Sequence, residues 1–198
     1  MRRLRILLLA ITAVFLVSCV RQTPVAVPAV GTPVFTALHR TVLSARGKDY
    51  VFMGTYSVDS HGGVRLSASS EMGGKIFEAV RPAGATQGTV LFNATRLRNR
   101  WLVDGALADA ERIHFANSPS LGEYDFRYDG LHRVISLTQW GAAHPLSQVE
   151  FSDWKEIPGA TEEQPSVAVV SNRQFDYGLT VQVLAINHAK QHAEAPIP

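Results

Sequence analysis

The sequence contains a single cysteine, Cys19, in 198 residues, so no disulfide can form within the chain and no multi-cysteine metal site can be built. Charge is sparse as well. The 19 Lys and Arg stand against 17 Asp and Glu, and three of the arginines, Arg2, Arg3 and Arg5, fall at the extreme N-terminus. Without those three the balance is 16 against 17, about −1, which leaves no basic face of the kind that binds nucleic acid. Long apolar runs are also missing. The greasiest stretch, Ile6 to Val17, is broken by Thr12 and falls short of the ~20 residues that span a bilayer. Nor is there a Gly-x-Ser-x-Gly elbow, or a glycine-rich loop followed by Lys-Ser or Lys-Thr, which excludes the common serine-hydrolase and phosphate-loop signatures.

What the N-terminus does contain is an ordered series: Met1-Arg2-Arg3-Leu4-Arg5, the apolar run, then Leu16-Val17-Ser18-Cys19. Charged, greasy and small residues in that order make an export signal over residues 1–18. The last four resemble the lipobox of bacterial lipoproteins, which implies that Cys19 is acylated and becomes the first residue of the mature protein. Two or three acyl chains hold a protein stably on a membrane where one holds it marginally. Val20 follows the cysteine where an aspartate would imply inner-membrane retention in that family, so the resemblance implies the periplasmic face of the outer membrane. Acylation would also consume the only thiol. Residues 19–31, rich in Pro, Val and Ala without period, read as a tether.

Residues 32–187 read as one domain. Thr32-Pro33 looks like a helix start, and Phe35, Leu38 and Val42 recur at helical spacing before Gly47, which predicts an opening helix. Alternation then takes over. Tyr50 to Val58 and Val64 to Ser69 flank the turn Asp59-Ser60-His61-Gly62-Gly63, and strands are predicted at 75–80, 89–95, 124–128, 133–140, 149–154, 166–171 and 178–187. Trp101 to Phe115 interrupts them as a helix, with Val103, Ala106, Leu107, Ala110 and Ile113 on one face and Glu111 and Arg112 away from it. About nine strands and two or three helices predict an α+β fold: a curved antiparallel sheet forming an unclosed β-barrel, its concave side covered by helices. Residues 188–198 lack apolar period and read as a loose tail.

This layout resembles the LolA/LolB fold, in which an unclosed barrel with a helical lid surrounds an apolar cavity for acyl chains. The resemblance is carried by Met53-Gly54-Thr55-Tyr56-Ser57-Val58 with Gly63 to Ser70 as a first hairpin, and by Val149-Glu150-Phe151-Ser152-Asp153-Trp154 with Gly159 and Pro165 before a terminal hairpin. The nearest kin it suggests are small LolB-like lipoproteins encoded with aryl-polyene or fatty-acid-like biosynthetic genes. It implies a cavity, and the alternating apolar positions Tyr56, Leu66, Phe126, Tyr128, Phe151 and Val181 are the residues expected to line it. LolB carries a protruding loop with an exposed hydrophobic residue; the segment expected to correspond, Pro82 to Gly88, has no Leu, Phe, Trp or Ile.

Polar residues offer little competing chemistry. His188 and His192 have helix-compatible ligand spacing but no carboxylate arranged to complete a site. His61, His114 and His144 read as turn, helix-end and loop residues. Ser67 and Ser69 alternate outward along a strand, and Glu162-Glu163 are neighbours in a polar loop that do not converge as an acid–base pair must. The expectation is therefore a non-catalytic outer-membrane lipoprotein that needs no cofactor or metal and binds an acyl or polyene ligand. The alternatives are an envelope protein-interaction scaffold and, behind it, an envelope lipid or glycan hydrolase.

Overall fold

The computed structural model describes residues 31–95, 97–114 and 124–189. Cys19, the expected signal and nearly all of the tether lie outside the described residues, as does His192. Ten strands follow in chain order: β1 (Pro33–Ala45), β2 (Lys48–Asp59), β3 (Val64–Ser69), β4 (Lys75–Arg81), β5 (Thr89–Asn93), β6 (Tyr124–Tyr128), β7 (Val134–Trp140), β8 (Pro145–Lys155), β9 (Gln164–Asn172) and β10 (Tyr177–His188). Among the described residues one helix, α1, stands between β5 and β6. Its first half, Trp101–Leu107, has the wide π form, and Ala108–His114 is an ordinary α-helix.

All ten strands form one antiparallel sheet in the order β5-β4-β3-β2-β1-β10-β9-β8-β7-β6. Each half is a meander, and the two meet at the long central pair β1 and β10. The sheet curls without closing into a barrel, and α1 connects the two edge strands across its concave side. A curved sheet with one greasy face requires such a cover. Leu102, Leu107 and Ala110 pack with Phe52, Tyr56, Leu66 and Phe77 of the β2–β4 half. Ile113 packs instead with Val134, Leu137, Val149 and Phe151 of the other half. Each large side chain so buried stabilises by about 1.5–3 kcal/mol, and Leu137→Ala in this dry region costs ~2–5 kcal/mol.

The expected opening helix is instead β1, and among the described residues a single 14-residue helix stands where two or three were predicted. The reason lies in which residues turn inward. Ala37, His39, Thr41 and Ala45 are buried on alternate positions, whereas Leu38, which supplied the helical spacing, is 39% exposed. Two of the inward positions are polar, which hides the period of two. The β-branched Val34, Thr36, Thr41 and Val42 suit an extended backbone. Arg46 and Gly47, both at positive φ, then close a two-residue hairpin of the type that matches strand twist, with Ala45 opposite Lys48.

The helix between β5 and β6 lies where expected, but its buried face differs. Arg112, expected to point away, is 7% exposed, and Asp109 is fully buried. A π turn advances the chain with more residues per turn than an α turn, so the face read at a 3.6 spacing drifts along it. At the C-terminal end, β10 includes His188, and the Ala189 N–H donates to the Val34 carbonyl at 2.9 Å.

Candidate functional site

Between α1 and the β1–β4 half of the sheet lies a cavity of about 900 Å³, near the upper end of the ~300–1,000 Å³ usual for small-molecule sites. Along β1 the lining runs His39, Thr41, Leu43, Ala45 and on to Arg46, from buried to exposed. The seven steps from His39 to Arg46 at ~3.3 Å each make roughly 23 Å, longer than the ~15 Å depth of one bilayer leaflet's hydrocarbon. The walls are apolar: Phe52, Leu66, Ile76 and Phe77 from the sheet, Leu102, Ala106, Ala110 and Ile113 from the helix, and Leu179 and Val181 from β10. Arg46, Lys48, Asp49 and Tyr50 surround the mouth beside Trp101, over whose ring the Arg46 guanidinium sits at 5.5 Å.

The deep end is aromatic and polar. His114, the last residue of α1, stacks on Tyr56 at 5.2 Å and lies 5.8 Å from both Phe35 and His39. His39 owes its place to Gly54, its partner on β2: a Cβ there would sit 2.0 Å from His39 Nε2. Burial lowers His39 to a pKa of about 4; burial, and then the neighbouring His39, lowers His114 to about 3. Both rings are neutral at pH 7. Burial also pushes the Tyr56 phenol well above its usual value. His39 Nδ1, Thr41 Oγ1 and His114 Nε2 are buried without a hydrogen-bond partner among the described residues. Each such group costs about 1–3 kcal/mol in a folded protein.

A second buried polar cluster pins the helix to β9 and β10. The Tyr177 hydroxyl and the Asn172 amide donate to Asp109 Oδ2 at 2.5 and 3.0 Å, and the Ser147 hydroxyl donates to Oδ1 at 3.4 Å. Arg112 forms an ion pair with the same carboxylate, donates to the Tyr124 hydroxyl at 3.0 Å and reaches Gln139 Oε1 at 3.0 Å. Burial alone would lower the guanidinium, but Asp109 and Tyr124 raise it above its usual value. Burial, followed by Asp109, holds Tyr177 protonated. Every member of this cluster has a partner.

Of the six residues expected to line a cavity, Leu66 and Val181 do face this one. Tyr56 is fully buried behind it, in the aromatic stack at its deep end. Phe151 is buried in the dry core on the β6–β10 side, with Phe126 against that core and Tyr128 56% exposed beyond it. His39, Thr41 and His114 were not anticipated as lining. Gly54 is the one available signal, since an isolated glycine inside a strand marks a close approach. No group of three or more metal-ligating side chains occurs among the described residues, and His188 meets Phe35 edge-on at 5.3 Å. No described helix is long and apolar enough to cross a membrane.

No family model and no curated protein matches the sequence. Solved structures do. A LolA superfamily protein from Nitrosomonas europaea is similar over 81% of this chain and 89% of its own, at a TM-score of 0.50 and 9% identity. A domain from Vibrio parahaemolyticus whose name assigns it to outer-membrane lipoprotein sorting aligns over 81% and 87%, at 0.41 and 8%. A DUF1329 family protein from Desulfovibrio piger aligns over 81% and 88%, at 0.43 and 10%. Likeness at such identities bears on fold alone, and the first of the three carries it: the chain has a LolA/LolB-like fold.

Proposed function

We propose that this chain is a non-catalytic lipoprotein, anchored through Cys19 at the periplasmic face of the outer membrane, that shields an acyl or polyene chain in its half-barrel during delivery or retention there. The observation that carries the reading is the cavity of about 900 Å³, elongated, apolar along its walls and open at the β1–β2 turn. A dry core would leave no such space, because protein interiors pack to crystal-like density. Binding draws on about 25 cal/mol for each Å² of apolar ligand surface removed from water, less the cost of ordering the chain. The tether after Cys19 gives the mouth reach above the headgroups.

The test uses the mature chain with Cys19→Ser, purified without detergent and sprayed under native conditions. A co-purifying lipophilic molecule is expected, and Ala106→Trp, which fills the cavity between helix and sheet, displaces it. A chain that carries no ligand and takes up none on titration with lipids refutes the proposal. Recovery of an envelope protein by crosslinking, indifferent to Ala106→Trp, would move the reading to an interaction module.

A further inference from the structure

An apolar cavity built only to take hydrocarbon would not place polar atoms at its deep end. Here His39, 4% exposed, and Thr41, 2% exposed, come from β1, and His114 comes from the end of α1. Their Nδ1, Oγ1 and Nε2 atoms are buried and unpartnered among the described residues, although all three residues line the cavity. The other polar groups along the helix are matched: buried Asp109 accepts from Tyr177 and Asn172, and the half-buried Glu111 accepts from Arg81 at 2.7 Å. Buried polar groups in folded proteins are paired as a rule, and three exceptions in one pocket require an explanation.

We propose that the occupant is a long aliphatic chain ended by an uncharged O–H group, inserted with that end innermost so that the O–H meets His39, Thr41 and His114. This rests on the reading of the cavity as a lipid site and names the class of lipid. A neutral imidazole presents one donor and one acceptor, and a hydroxyl presents both, so the match holds whichever tautomers the rings adopt. A charged terminus does not fit. The cationic lining residues, Arg46 and Lys48, are at the opposite end, at the mouth, and Arg81 is already paired with Glu111. An anion at the deep end would be buried without a counter-charge. The shared chemistry, an O–H on an alkyl chain, belongs both to a fatty alcohol and to an un-ionised fatty acid.

Displacement of an apolar fluorescent probe from the Cys19→Ser mature chain by dodecane, dodecan-1-ol and dodecanoic acid separates the cases. Dodecan-1-ol is expected to bind at least about tenfold more tightly than dodecane, a factor of ~1.4 kcal/mol, with no change between pH 6 and 8. Dodecanoic acid is expected to weaken across the same interval as it ionises. The ring nitrogen resonances of His39 and His114 should shift with the alcohol and stay in place with the alkane. In His39→Phe with Thr41→Val the ratio of alcohol to alkane affinity should fall toward one. Equal binding of alcohol and alkane by the unaltered protein overturns this inference and leaves the carrier reading standing. Tighter binding of the ionised acid at pH 8 overturns it in favour of an anion site. Failure to bind any of the three overturns both. The comparison of ligands on the unaltered protein decides the matter even if the double variant does not fold.

Discussion

Two buried polar clusters touch the same helix, and they are built on opposite principles. At Asp109 a carboxylate receives Tyr177, Asn172, Ser147 and Arg112, and Arg112 in turn reaches Tyr124 and Gln139. One turn further along, at His114, the neighbouring His39 and Thr41 end in atoms with no partner among the described residues. The first cluster is complete in itself and ties α1 to the β7–β10 half of the sheet. The second faces the cavity of the other half, and its polar atoms are left without partners among the described residues. A buried network stabilises a fold when fully satisfied and weakens it when partly satisfied. On the proposal above, the closed cluster belongs to structure and the open one to function.

The largest effect should come from opening the closed cluster. Asp109→Ala strands the Arg112 guanidinium, 7% exposed, and removes the acceptor of three further donors. Breaking a buried ion pair from one side costs ~3–5 kcal/mol, so the urea midpoint should fall steeply. Removing both charges together, with Asp109→Leu and Arg112→Met, should recover much of that loss, and a double-mutant cycle measures the coupling.

The next effect sets the open cluster apart by pH. His39 has a pKa of about 4 when folded, below the 6.5 of an unperturbed histidine, so the unfolded chain binds the proton more readily. Its contribution to stability is fully present above pH 6.5 and is lost as pH falls from there to about 4. The shift corresponds to on the order of 3 kcal/mol. His114, at about 3, extends the same loss to lower pH. Asp129 and Asp153, held low chiefly by hydrogen bonds from the Arg133 N–H and from the Lys155 side chain, lose their contribution only as pH drops through the ordinary carboxylate range and below. Urea unfolding at pH 7, 5.5 and 4.5 should show a decline that His39→Phe flattens.

The contrast also explains what could be read from the sequence. Alternation in Val64-Arg65-Leu66-Ser67-Ala68-Ser69 shows in both sequence and burial, because every inward residue is apolar. The LolA/LolB-like sheet and the helix at 101–114 were legible on the same basis. Strand β1 was not, because the inward series Ala37, His39, Thr41 places two polar residues where a core strand normally carries Val or Ile. The residues that make the cavity's deep end distinctive thus conceal the strand that carries them. Phe151 and Leu66 alternate alike in the sequence, yet one fills the dry half and the other faces the cavity. Which half stays open depends on where α1 crosses, and the π turn that sets its facing has no signature in apolar spacing.

Gly54→Ala should disturb the open cluster alone. Its Cβ would come within 2.0 Å of His39 Nε2 and 2.5 Å of the adjacent ring carbon, forcing the imidazole off its seat above the β2 backbone. Overpacking of this kind costs ~1–3 kcal/mol. Combination with His39→Ala, which removes the ring, should relieve much of that cost, and simple additivity of the two changes in thermal unfolding would show that the contact is not what Gly54 provides.

The smallest change tests the comparison most directly, because its sign depends on whether the cavity is filled. Thr41→Val replaces a buried hydroxyl, Oγ1, that has no partner among the described residues with a methyl of similar shape. In the empty protein this removes a desolvated polar group and should stabilise by ~1 kcal/mol, whereas the same exchange at a satisfied hydroxyl destabilises. Ser147→Ala in the closed cluster supplies that opposite case, since its hydroxyl donates to Asp109 at 3.4 Å. With dodecan-1-ol bound, the Thr41→Val advantage should shrink or reverse, because the variant no longer offers the hydroxyl to the ligand. Thermal unfolding of both variants with and without the alcohol gives four shifts, and a Thr41→Val effect that ignores the ligand would mean that the second cluster, like the first, is only structure.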